Sequence, residues 1–212
     1  MGDMFRLLAA SAALLLAAVN ANAALIINGS FEDPAINSSW ALLDPSSVPG
    51  WESNQQMEIR STFTLAPSYE GNQHLELNSA GSAPWSIWQV MTTQTDTWYE
   101  LTFAAARRSG YGSYNSFAVD IFDNSTPSTN LLNETVVLND TEWNLFTFKF
   151  KAVGSSTKLI FTSLYPNSTG GNFLDTVSVV NYLNDADTIP APSSIALMSL
   201  AILGLGARRL YK

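Results

Sequence analysis

The feature that most constrains this chain is a two-residue rhythm. Between Trp98 and Ala106, Tyr99, Leu101 and Phe103 alternate with Glu100 and Thr102. Phe117, Val119 and Ile121 repeat the pattern. Phe146, Phe148 and Phe150 do so again, with Thr147, Lys149 and Lys151 in the outward places. Leu159 with Phe161, then Val177 with Val179, follow. Successive strand side chains point to opposite faces, so this alternation marks strands with one face in a core. Further strand candidates are Met57 to Arg60, Gln73 to Leu77 and Ser86 to Thr92. Loops rich in Pro, Gly, Asn and Ser separate the runs, as at Asp44 to Gly50, Ser79 to Pro84, Arg107 to Asn115, Asp123 to Asn130 and Pro166 to Asn172. No stretch from Ala24 to Asn184 has helical periodicity. The expectation is an all-β body over residues 24–184, an antiparallel two-sheet sandwich of about ten strands.

That body opens on Ala24-Leu25-Ile26-Ile27-Asn28-Gly29-Ser30-Phe31-Glu32. Leu25 to Ile27 reads as a short strand for a buried pleated surface. Asn28-Gly29 tolerates the positive φ of a bulge or turn and breaks the strand, which frees backbone carbonyls beside Glu32. Phe31 returns to the core. A second carboxylate, Asp175, lies in the last strand of the body, Leu174 to Val179. Pairing of the first and last strands would bring Glu32 and Asp175 together, in a cluster of oxygens suited to a hard cation.

Both ends of the chain differ from the body. Met1 to Ala23 has Arg6, an apolar stretch from Leu7 to Val19 and Ala21-Asn22-Ala23, the pattern of a cleavable signal peptide. An exported chain without cysteine has no disulfide framework, so it needs a real core or a metal. After Asn184 comes a polar linker, Asp185 to Thr188, then Pro190 and Pro192, an apolar run from Ile195 to Ala207, and Arg208-Arg209. The uncharged stretch from Thr188 to Ala207 is about a bilayer's width. A formal net charge of −8 argues against nucleic acid as a partner, since phosphate binding needs the opposite sign.

The order of Pro190-Ala191-Pro192, apolar helix and Arg208-Arg209 resembles the PEP-CTERM sorting signal of Gram-negative bacteria, with Ala191 where that family has Glu. The resemblance implies recognition by exosortase, a transient anchor in the inner membrane, and delivery to the cell surface or a polysaccharide matrix. The body resembles galactose-binding-like jelly rolls, notably DUF642-type and carbohydrate-binding-module sandwiches. The residues that carry this are Asn28 to Glu32, Pro49-Gly50-Trp51, His74 to Leu77, Ile87-Trp88-Gln89, Tyr99 to Phe103 and Leu174 to Val177. The resemblance implies a structural Ca²⁺ between first and last strands. Its ligands would be the side chains of Glu32 and Asp175, with backbone oxygens near Ser30 and in Gly71-Asn72.

Six tryptophans and seven tyrosines suit sugar binding, because flat rings stack on the apolar faces of pyranoses while polar side chains bond the hydroxyls. Trp85, Arg108, Tyr111 and Tyr114 lie in loops and are the candidate ligand residues; Trp51, Trp98 and Trp143 read as core. The lone histidine, His74, reads as a structural strand residue rather than a general base. No Gly-x-Ser-x-Gly elbow occurs. The expected function is therefore non-catalytic: binding of, or adhesion within, an exopolysaccharide. The alternatives are a glycan-active hydrolase and a matrix protein without a ligand.

Overall fold

The computed structural model describes residues 24–62, 66–78, 85–110, 115–165 and 170–182. The expected signal peptide and sorting segment, including Pro190, Pro192, Arg208 and Arg209, lie outside the described residues, as do Tyr111 and Tyr114. Among the described residues the strands are β1 (Trp40–Leu43), β2 (Glu52–Ser53), β3 (Met57–Ser61), β4 (Gln73–Glu76), β5 (Ser86–Thr92), β6 (Trp98–Arg107), β7 (Ser116–Asp123), β8 (Asn130–Val137), β9 (Asn144–Lys151), β10 (Ser156–Ser163) and β11 (Asn172–Asn181).

They form two antiparallel sheets. One has six strands in the order β1-β3-β4-β11-β6-β9, and the other has five in the order β2-β5-β10-β7-β8. The rhythm of the sequence sets the faces. Tyr99, Leu101, Phe103, Phe117, Val119, Ile121, Leu159 and Phe161 all point between the sheets and are buried. Aromatic rings interlock there. Trp51 stacks on Phe31 with centroids 5.2 Å apart, and Phe103 meets Phe161 edge-on at 5.1 Å. Burial of each such ring contributes up to about 3 kcal/mol.

The opening segment closes the structure along one seam. Leu25 donates to the Val179 carbonyl at 2.8 Å, and Val177 donates to the Gly29 carbonyl at 2.9 Å. The segment is less regular than the expected strand, for a visible reason. The amide and carbonyl of Ile27 are both bound by the side-chain amide of Gln89 on β5, at 2.7 and 3.0 Å, so this segment ties the two sheets together. Asn28 and Phe31 take positive φ at the break, and the Trp51 indole donates to the Asn28 carbonyl at 3.0 Å.

Two core assignments are corrected. Trp98 is 42% exposed, because it shares the outward parity of Glu100 and Thr102 on β6. Trp143 is half-buried on the outside of the six-stranded sheet, since it lies in the turn before β9.

Candidate functional site

β11 changes partner partway along one side. Phe173 and Leu174 pair with β4, whereas Val177 and Val179 bond the opening segment. A bulge between Asp175 and Ser178, with Thr176 at φ 49°, accommodates the change. Asp175 sits at this point and is fully buried. Its Oδ2 accepts from the Glu70 amide at 2.9 Å and its Oδ1 from the Thr176 amide at 2.7 Å, and the Tyr69 amide also bonds it. Burial pushes its pKa up to about 7; these amides pull it down, and the charge of Glu32 adds to the rise. The Oε1 of Glu32 accepts from the amides of Asn72 and Gln73 at 2.7 and 2.8 Å. The two acids, far apart in sequence, thus hold one loop from Tyr69 to Gln73.

Much of this pair fits a hard cation. Among the described residues neither carboxylate has a basic partner, and two like charges lie close together. The loop closes tightly on them: a Cβ on Gly71, at φ +65°, would lie 2.4 Å from Glu32 Oε1. No third acidic, His or Cys side chain joins them among the described residues, so a cation there would draw on backbone oxygens of the Asn28–Phe31 turn, where Ser30 lies. The Asn72 carbonyl accepts from the Thr62 amide at 2.9 Å, and its own amide donates to Glu32.

The outer face of the six-stranded sheet carries a buried ionic floor. The β3–β4 register sets Glu58 opposite Glu76 and Arg60 opposite His74. Arg60 pairs with both glutamates, and Arg108 bonds both oxygens of Glu76 at 2.8 and 3.0 Å. The Gly171 amide also donates to Glu76 at 2.8 Å. Burial first, and then the neighbouring Glu76 charge, raise the pKa of Glu58 to about 7. Burial, reinforced by Arg60, lowers that of His74 to about 4, so its ring is neutral near pH 7. Ser68 Oγ lies 3.0 Å from His74 Nδ1, while Phe173 and Trp143 pack edge-on against the ring at 4.6 and 5.6 Å. Among the described residues His74 Nε2 has no hydrogen-bond partner, so no carboxylate there orients the ring as in a nucleophilic relay.

Above the floor opens a cleft of about 320 Å³ lined by Pro67, Arg107, Ser109, Glu142, Trp143 and Phe173. Trp143 is fixed on both sides. Its indole donates to the Pro67 carbonyl at 2.8 Å, and Tyr69 meets its ring edge-on at 6.1 Å. Tyr69 is 42% exposed. The cleft therefore presents an aromatic wall beside a guanidinium, a carboxylate and a hydroxyl.

Of the expected ligand residues within the described part of the chain, Trp85 and Arg108 fall elsewhere. Trp85 is 2% exposed: it extends the β5 ladder, Ser163 donating to its carbonyl at 2.8 Å, and shares the inward parity of Ile87. Its ring is core and not a stacking platform. Arg108 is drawn into the ionic floor. Tyr69 and Arg107 were not singled out by the sequence, and Trp143 was assigned to the core, because no periodicity places a turn or strand-end residue against a distant loop.

Together these features define an all-β sandwich of the jelly-roll class, with a cleft on its six-stranded sheet. The chain belongs to the DUF642 family: that family's model, described as a protein of unknown function, matches residues 24–180. No curated protein matches the chain. Among solved structures it is similar to an arabinose-bound α-L-arabinofuranosidase, MgGH51, at TM-score 0.54 and 11% identity over 76% of this chain. The match spans 26% of that enzyme's chain, and it shows the fold alone. A CBM4 structure matches at 0.48 and 19%, covering 74% of this chain and 99% of that one. TmCBM61 in complex with β-1,4-galactotriose matches at 0.49 and 13%, covering 76% and 100%.

Proposed function

We propose that this protein is an exported, non-catalytic glycan-binding module. The observation that carries this reading is the cleft, where Trp143 and Phe173 form an aromatic wall beside Arg107, Ser109 and Glu142, with Tyr69 packed edge-on against Trp143. Apolar sugar faces and sugar hydroxyls need that combination. A buried, neutral His74 and a serine without an orienting acid give hydrolysis no support of their own. In the same reading Glu32, Asp175 and backbone oxygens of the Ser30 turn hold a structural Ca²⁺. The apolar ends of the sequence direct export and exosortase-dependent sorting, through an inner-membrane stage, to the surface or exopolysaccharide matrix of a Gram-negative bacterium.

Affinity electrophoresis against a panel of neutral and acidic polysaccharides tests the core of this proposal. At least one polysaccharide is expected to retard the protein. Tyr69→Ala and Trp143→Ala are each expected to weaken that retardation at least about tenfold. Retardation unchanged in both variants refutes the cleft as the site, and no retardation by any polysaccharide leaves a matrix protein without a ligand.

A further inference from the structure

The loop over residues 66–73 forms one side of the cleft, and its stem is hung on two acids that do not line it. Four consecutive or near-consecutive amides, those of Tyr69, Glu70, Asn72 and Gln73, end on Asp175 and Glu32. Pro67, which accepts the Trp143 indole, and Tyr69, which packs on its ring, ride on the same loop. The far end of the loop is held separately: the Ser68 amide donates to Thr62 Oγ1 at 3.0 Å, and its hydroxyl contacts His74.

We propose that Glu32 and Asp175 are positioning residues of the cleft. By gathering the loop amides they fix where Tyr69 and Pro67 stand, and through Pro67 the plane of Trp143. The inference rests on the glycan-binding reading and deepens it, since it links the seam between first and last strands to ligand affinity. Three features support it. The carboxylates come from elements remote in sequence, the opening turn and β11, so they place the loop relative to the whole sheet. A carboxylate accepting two or three backbone amides is a strong, directional anchor. Gly71 shows how close the fit is, because there is no room for a methyl group between the loop and Glu32. Aromatic stacking tolerates little displacement of the ring, so a loosened loop loses affinity without loss of the aromatic side chains themselves.

The experiment compares Glu32→Ala with Glu32→Gln in the full chain, using the polysaccharide that binds wild type best. Affinity, melting temperature and amide exchange of residues 62–73 are read together. Gln keeps a carbonyl oxygen where Oε1 accepts its two bonds, so it is expected to bind within about twofold of wild type. Ala is expected to weaken binding about tenfold, equivalent to about 1.4 kcal/mol, and to speed exchange across the loop. Gly71→Ala, which displaces the same loop from the other side, is expected to match Glu32→Ala and serves if that variant folds poorly. Wild-type affinity in both Glu32→Ala and Gly71→Ala overturns the inference while leaving the glycan reading intact, provided that Trp143→Ala still weakens binding at least about tenfold. A wild-type chain that binds no polysaccharide overturns both.

Discussion

Arg60→Met offers a direct measure of the ionic floor. Arg60 is buried and pairs with both Glu58 and Glu76, which are themselves buried neighbours across β3 and β4. Methionine keeps much of the volume but leaves Glu58 with only the more distant charge of Arg108, and Glu76 with Arg108 alone. Removing one partner of a buried ion pair costs about 3–5 kcal/mol, because a charge is left desolvated. For a domain of this size that is a fall of about 6–20 °C in melting temperature near pH 8. The deficit carries a pH signature. Glu58 already has its pKa raised to about 7 in the folded protein, and loss of Arg60 raises it further. A raised folded pKa means that the folded state holds a proton the unfolded state has lost. The associated stability is present at low pH and disappears as pH rises through the folded value. The variant's deficit should therefore shrink between pH 8 and pH 5, by at most about 1.4 kcal/mol per pH unit. Urea denaturation at pH 5, 6, 7 and 8 measures this. A variant as stable as wild type, or a deficit independent of pH, refutes the account of a charge-dependent floor.

Other expectations follow from single contacts. EDTA should lower the melting temperature of wild type, and Glu32→Ala should remove that sensitivity; identical melting with and without chelator would remove the cation from the proposal. Gly29→Ala should destabilise by about 3 kcal/mol, because the added methyl group would lie 1.9 Å from the Val177 carbonyl oxygen. Gly110→Ala is the control, with open space around it and φ of +84°, and should cost only about 1 kcal/mol. His74→Phe should remove a pH dependence that lies lower on the scale than that of Arg60→Met. The folded pKa of about 4 lies below the usual 6.5, so the stability due to the neutral ring is present above pH 6.5 and lost as pH falls toward 4. The gap between wild type and variant in urea midpoint should narrow over that range.

Much of the fold was legible because burial follows parity. Tyr99, Leu101 and Phe103 point inward as their spacing requires, and the same rule correctly applied would have put Trp98 outside and Trp85 inside. The rhythm fails where strands are short or solvated on both faces. β1, β2 and β8 were not anticipated, and β8 is mostly exposed along its length. The meeting of the opening segment with β11 was readable from Asn28-Gly29 and the acids beyond it. The cleft was not readable. Trp143 owes its place to Pro67 and His74, and the adjacency of Glu58 and Glu76 depends on the exact pairing of β3 with β4. Such contacts are properties of register, which composition and local spacing leave open.

The last strand to be made, β11, lies in the interior of the six-stranded sheet, between β4 and β6. Until it arrives, β1-β3-β4 and β6-β9 are two separate ribbons, each with a bare edge and no common core. The six-stranded sheet therefore cannot close until residues 172–181 are in place. A chain cut before Asn172 would leave both ribbon edges open to pairing with strands of other molecules.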